Sequence, residues 1–207
     1  MKLFSSSATP FGRKVEVIAI EKGLIDGIEV VATSTSPTSP HEALSRSNPL
    51  IKIPTLILDD GRVLYDSLVI CDYFDTLRPP PKVIPEAGPK RWDVLTTHAL
   101  ASGICEAAVS SRYEQALRPE PLRWPDWVKG QMRKIDSGLD WLEGNIGLLG
   151  NAGAAHVDVA QVAAGCAFGY LDFRFSQVEW RKTRPGLAAW SAEFAKRASM
   201  QRTQPSA

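Results

Sequence analysis

Hydrophobic positions along the first 77 residues switch period several times, between the short apolar runs of strands and the three-and-four spacing of helices. Lys2 to Phe4 reads as a short first strand. From Pro10, the apolar residues Phe11, Val15, Ile18 and Ala19 follow helical spacing, and Arg13, Lys14, Glu16, Glu21 and Lys22 fall mostly elsewhere. Gly23 is placed to close that helix. Ile28 to Ala32 is rich in β-branched residues and predicts a second strand. The Ser/Thr/Pro segment TSTSPTSP, Thr33 to Pro40, suits an irregular surface stretch, and His41 to Ser45 adds a helical turn. Thr55 to Leu58 and Val63 to Tyr65 are apolar runs joined through Asp60-Gly61, which predicts an antiparallel hairpin. Ser67 is then expected to cap a helix running to about Leu77, with Leu68, Ile70, Cys71 and Phe74 on its apolar face.

The order β-α-β-α-β-β-α fits one small α/β unit. Arg78-Pro79-Pro80-Pro81-Lys82 ends it, because consecutive prolines cannot continue a helix and make a stiff connector. Beyond it the pattern is helical throughout. Four helices are expected, at about Pro89–Leu117, Trp124–Ile146, Val157–Phe175 and Gly186–Met200. The third is apolar nearly all round and should form the buried centre of a bundle. The expected division is 1–77 as an α/β domain, 78–85 as a Pro-rich linker and 86–207 as an all-helical domain.

The charge balance, 24 basic against 23 acidic residues, gives the whole chain no general attraction for nucleic acid or an anionic membrane. No apolar run reaches the ~20 residues of a membrane span, and the N-terminus lacks a signal-peptide core, so the cytoplasm is the expected compartment. Cys71, Cys105 and Cys166 are scattered, odd in number and outside any C-x-x-C pair, which argues for small buried hydrophobes over disulfides or a zinc site. The three histidines are equally scattered, so no metal is expected.

Candidate chemistry therefore concentrates at the start of the chain, where the hydroxyl-rich run Ser5-Ser6-Ser7-Ala8-Thr9 hands a strand over to a helix opening at Pro10. Thr before Pro is a good N-cap ahead of a good first helical residue. The same position also lies among unpaired backbone N–H groups at the positive end of the helix dipole, which favours an anion such as a thiolate. Both roles are compatible.

Three motifs recur in order: S-x-x-T-P-F-x-R-K (Ser6 to Lys14), N-P-x-x-K-I-P-T-L (Asn48 to Leu56) and Y-D-S-x-x-I-x-x-Y (Tyr65 to Tyr73). With them, essentially the whole chain resembles the cytosolic glutathione transferases, in particular bacterial members with an S-P-F-x-R-K start and Ser-type groups such as tau and theta. The resemblance implies a thioredoxin-like N-terminal domain followed by a helical one, glutathione as co-substrate, a small hydrophobic electrophile as its partner, and a homodimer. It implies that Thr9, or one of the neighbouring Ser7 and Ser6, stabilises the thiolate. Phe11, Lys52, Ile53 (before a cis Pro54), Asp66 and Ser67 would contact glutathione. Ile104, Ala108, Arg112 and Tyr113 would wall the electrophile pocket.

Several departures matter. The active position carries Thr with a stiff χ1, and not the family's Ser or Cys, so thiol–disulfide exchange through a protein cysteine is not expected. Asp66 replaces the more usual Glu. Asp158 matches the start of the family's central helix, but Ala155 stands where Ser or Thr is usual, so its capping box is expected to be incomplete. The implied activity is conjugation of glutathione to an electrophile. A glutathione-binding or protein-interaction module of the same fold, and a glutathione-dependent isomerase, are the alternatives.

Overall fold

A computed structural model describes residues 1–206. Four strands, β1 (Lys2–Ser5), β2 (Glu29–Ala32), β3 (Thr55–Ile57) and β4 (Val63–Leu64), form one mixed sheet in the order β2-β1-β3-β4. β1 runs parallel to β2 and antiparallel to β3, and β4 returns antiparallel to β3. Helix α1 (Pro10–Glu21) makes the crossover between β1 and β2, α2 (Glu42–Ser45) is a single turn, and α3 (Ser67–Thr76) follows β4. This is the expected βαβαββα order. The remainder is helical: α4 (Pro89–Ala116), α5 (Pro125–Gly144), α6 (Val159–Arg174), α7 (Pro185–Phe194) and α8 (Ala198–Arg202).

α1 ends as expected. Gly23 adopts φ 63°, the Gly23 N–H donates to Ile20 O and the Leu24 N–H to Ala19 O, a Schellman closure in which glycine accepts the left-handed turn. Two caps differ from expectation. Asp66, not Ser67, caps α3, its Oδ1 accepting from the Leu68 and Val69 N–H groups. At α6 the capping box is complete: Asp158 accepts from the Gln161 N–H, and the Gln161 side chain accepts from the Asp158 N–H, each at 3.0 Å. Ala155 is not part of it.

α6 is the centre of the helical region, buried along nearly its whole length and packed on α4 and on α1. α1 is therefore covered on two sides, by α3 on one and by the helical region on the other. Its charges follow from that. Arg13 and Lys14, set off the apolar spacing of α1, are nonetheless 6% and 2% exposed. The Arg13 guanidinium donates to Met200 O at 3.1 Å and to Thr203 Oγ1 at 3.4 Å. Glu21 accepts a bidentate pair from Arg197 (3.0 and 2.9 Å) and a hydrogen bond from Ser199. Burial opposes its ionisation, but the Arg197 and Ser199 bonds hold its carboxyl below the usual range.

The same contact explains why the expected helix over 186–200 is two. Arg197 is extended (φ −59°, ψ 138°) between α7 and α8, fixed by Glu21 and by its bond to Ala154 O. The Pro-rich connector is likewise anchored. Asp75 pairs with Lys22 at 2.9 Å and accepts from the Val83 and Ile84 N–H groups, and the Val159 N–H donates to Val83 O. Cys71, Cys105 and Cys166 are free and buried, as expected.

Gly165 of α6 lies where Phe194 crosses it. A Cβ there would sit 2.6 Å from Phe194 Cδ1, on a ring that is fully buried and stacked on Trp190. Gly165→Ala should destabilise the fold by about 1–2 kcal/mol despite its better helix propensity, read as a lower urea midpoint. Wild-type or higher stability would contradict this packing.

Candidate functional site

The strand registers bring the three motifs to one end of the sheet. Phe4 pairs with Thr55, and Leu56 with Leu64. Continued outward by two residues, these registers set Ser6 opposite Ile53 and Asp66 opposite Pro54. α1 and α3 both begin at this end, so the positive dipole ends of two helices point toward the same space, with the Leu68 and Val69 N–H groups of α3 taken by the Asp66 cap.

The 48–55 loop is framed from within. Asn48, 1% exposed, donates through Nδ2 to Lys52 O (3.1 Å) and to Thr55 Oγ1 (2.9 Å), and its Oδ1 accepts from the Leu50 N–H. Thr55 Oγ1 donates in turn to Lys52 O at 2.7 Å. Asn and Thr thus hold the two ends of the N-P-x-x-K-I-P-T motif together. The Ile53–Pro54 bond is cis. Neither the N–H nor the C=O of Ile53 has a hydrogen-bond partner among the described residues, which leaves a short free strand edge facing outward. Lys52 is exposed, and Pro54 is buried.

The hydroxyls of the first loop are not equivalent. Ser5 Oγ donates to Glu16 Oε1 at 2.5 Å, Ser6 Oγ accepts from the Ala8 N–H at 3.3 Å, and Ser7 Oγ donates to Ser206 O at 3.3 Å. Burial raises the Glu16 carboxyl despite the Ser5 hydrogen bond and the Arg13 charge. Thr9 occupies the N-cap position of α1 with extended dihedrals, yet its side chain makes no capping hydrogen bond. Among the described residues its hydroxyl is the one in the loop with no protein partner. Gly12 makes room for this arrangement: a Cβ there would lie 2.3 Å from Ser5 Oγ and 2.7 Å from the Thr9 methyl. Phe11, half-buried, packs against the core beside it.

Across the sheet end, the Asp66 carboxylate uses Oδ1 to cap α3 and leaves Oδ2 without a partner among the described residues. Ser67 is buried at the first position of α3. The four residues expected on α4 are not brought to one surface. Ile104 and Ala108 are 2% and 0% exposed, and Ile104 lies against Gly138 of α5, so both belong to the interior of the bundle. Arg112 is half-buried with no ion-pair partner among the described residues, and Tyr113 is exposed.

The face that α4 turns toward α1 is marked by a contact that sequence reasoning missed. The Lys14 ammonium meets His98 Nε2 at 2.7 Å, and Ser102 Oγ lies 3.3 Å from the same nitrogen. Helical spacing then puts Ser102, Cys105, Val109 and Arg112 on one stripe with His98. Burial, and secondarily the Lys14 charge, pushes the His98 imidazole down to about 3, so the neutral ring accepts from Lys14.

Two family models match the chain: the glutathione S-transferase N-terminal domain over residues 8–77 and the corresponding C-terminal domain over residues 125–193. The uncharacterized GST-like protein YibF of Escherichia coli strain K12 is 33% identical over 99% of this chain and 98% of its own length. A glutathione transferase family member from Pseudomonas fluorescens Pf-5, solved with bound glutathione, is 45% identical with a TM-score of 0.95, covering 100% of this chain and 99% of its own. It has also been solved with bound S-(propanoic acid)-glutathione, at 44% identity and a TM-score of 0.90, with 99% of each chain covered. A glutathione S-transferase from Methylobacillus flagellatus KT with glutathione bound is 34% identical over 99% of both chains, with a TM-score of 0.88.

The depressed His98 value makes stability depend on pH. An unfolded histidine takes up a proton below its ordinary value near 6.5, and the folded one does so only near 3. The folded state thus binds fewer protons in between, and stability that is complete above pH 6.5 declines as pH falls toward 3. Between pH 7 and pH 5 the His98 share should be roughly 1–2 kcal/mol. Urea unfolding at both values should show that decline in the wild type and a smaller one in His98→Gln. Equal slopes would refute it.

Proposed function

The chain belongs to the glutathione S-transferase family, and we propose that it conjugates the glutathione thiolate to a small hydrophobic electrophile, with residues 1–77 binding glutathione, 78–85 linking, and 86–207 supplying the electrophile pocket. The observation that carries this reading is the Thr9 hydroxyl, uncommitted among the described residues at the start of α1, on the same sheet end as the Ile53 backbone, which has no partner among them. The glutathione and S-(propanoic acid)-glutathione held by relatives support it.

Glutathione's cysteinyl backbone pairs with the Ile53 N–H and C=O as an added strand edge. Its γ-glutamyl carboxylate takes donors from Ser67 and the α3 N-terminus, its α-ammonium faces Asp66 Oδ2, and Lys52 approaches the glycyl end. Thr9 then donates to the sulfur. A thiol that ionises at ~8.5 in water needs only about 2 kcal/mol to ionise near neutrality, within the ~1.5–3 kcal/mol of one charge-assisted hydrogen bond. The thiolate attacks an electrophilic carbon held beside it, so catalysis is proximity together with an activated nucleophile. Arg112, free of ion pairs among the described residues, and Tyr113 are the wall residues best placed to meet an anionic group on that substrate or product.

With a generic aryl halide as electrophile, Thr9→Ala should lower kcat/KM about 10- to 100-fold, and Ser6→Ala and Ser7→Ala only a few-fold, since Ser6 Oγ is turned to the Ala8 N–H and Ser7 Oγ donates to Ser206 O. Retention on immobilised glutathione without turnover across a panel of electrophiles would favour a binding module. Absence of glutathione affinity would overturn the reading.

The homodimer is part of the proposal. Tyr65 and Val69 at the start of α3 and Trp92 in the first turn of α4 are exposed apolar groups, with Trp92 66% exposed. Light scattering should give twice the 22.6 kDa of the chain, and Val69→Glu with Trp92→Glu should shift it toward that of one copy. A monomeric wild type would refute it.

A further inference from the structure

Residue 9 differs from serine by one methyl group, and that methyl has a defined seat. The side-chain oxygen of an N-cap residue ordinarily turns back to accept from the N–H two or three residues on, which here would be Phe11 or Gly12. The Thr9 oxygen accepts from neither. It is the Thr9 methyl that lies against Gly12, 2.7 Å from where a Cβ of residue 12 would stand.

Several contacts define this seat. Residue 12 is glycine, and a side chain there would meet both the Thr9 methyl and Ser5 Oγ, the latter at 2.3 Å. Ser5 is 1% exposed, and its Oγ is tied to Glu16 Oε1 at 2.5 Å. Gly12 and Glu16 are four residues apart on one face of α1, so Glu16 holds Ser5 beside the glycine. The Thr9 backbone is held as well. Its N–H donates to Ser6 O and its C=O accepts from the Arg13 N–H, each at 3.1 Å. Pro10 keeps it extended, at φ −103° and ψ 129°.

On a staggered β-branched side chain, methyl and hydroxyl stand roughly 120° apart about Cα–Cβ, so seating the first fixes the second. Among the described residues the hydroxyls that are both buried and unpartnered belong to Thr97 and Ser111. The half-buried Thr9, also without a side-chain partner, therefore carries an oxygen that solvent reaches.

We propose that the Thr9 methyl, seated against Gly12 and Ser5, keeps this side chain out of the helix-capping rotamer and so leaves the hydroxyl turned out of α1 and available to the glutathione thiol. Gly12, Ser5 and Glu16 are positioning residues that act through Thr9. The inference rests on the glutathione reading above. A serine beside Gly12 has no methyl to seat, and its hydroxyl is free to cap α1. A cap bond of ordinary strength would leave only about a third to a tenth of such serines facing the thiol.

The test is Thr9→Ser, which keeps the hydroxyl and removes the methyl. Three quantities are read: kcat/KM with the aryl halide, the ultraviolet titration of the thiolate in the protein–glutathione complex, and the urea midpoint. Activity near neutral pH should fall about 3- to 10-fold and the thiol titration should rise by about half a unit to one unit. The urea midpoint should hold or increase, because the freed hydroxyl now caps the helix. Glu16→Ala, which releases Ser5, should move the titration in the same direction, and Glu16→Gln, which keeps an acceptor, should restore it. Ser5→Ala carries this arm if Glu16→Ala does not fold. A Thr9→Ser protein that binds glutathione with wild-type titration and kcat/KM overturns this inference alone. Full activity in Thr9→Val, which keeps the methyl and loses the hydroxyl, or a wild type that binds no glutathione by calorimetry, overturns it together with the functional reading.

Discussion

The structure depends on α1 being buried from two sides at once. A helix beside a sheet ordinarily keeps one face in water, and there Arg13, Lys14 and Glu21 would need no partners. Here that face is covered by α4, α6 and α8, and each charge is met by the helical region: Arg13 by Met200 and Thr203, Lys14 by His98, and Glu21 by Arg197 and Ser199. Removing one partner of such a group would leave the other buried and unsatisfied, which costs more than the contact contributes. The two regions are therefore tied by polar groups that fix register as well as by apolar area. The anchoring of the connector at Asp75 makes the tie tighter still.

That tie also positions the candidate site. The sheet gathers the Ser6–Thr9 loop, Ile53–Pro54 and Asp66–Ser67 at one end through its registers alone. On its other side α1 meets α4, where His98 contacts Lys14. The sheet end of the candidate site follows from strand pairing within residues 1–77, and the setting of α4 from a packing contact with α1.

This difference accounts for what could be read in the sequence. The βαβαββα order and the helical region were legible because they rest on period changes and on Gly, Pro and Asp-Gly punctuation, all local signals. The boundaries of α3 and α6 were less so. At Asp66-Ser67 two adjacent residues can both cap, and at α6 the box was sought at Ala155 when Asp158 and Gln161 form it. The split between α7 and α8 was not legible at all, since its cause, Glu21, lies 176 residues from Arg197. The burial of Lys14 was not legible because the spacing along α1 cannot say that a second layer covers its charged face. Ile104 and Ala108 were chosen by position along α4, and the structure turns them inward toward the bundle.

The inward placement of Ile104 and Ala108, with Arg112 and Tyr113 left outside the core, has a consequence for how such a protein diversifies. Along α4 the positions that hold the bundle together, Ile104 and Ala108, give way within one to two turns to positions outside the core. Substitutions at the second set touch few buried atoms and cost little stability, so that surface can vary while the scaffold stays unchanged.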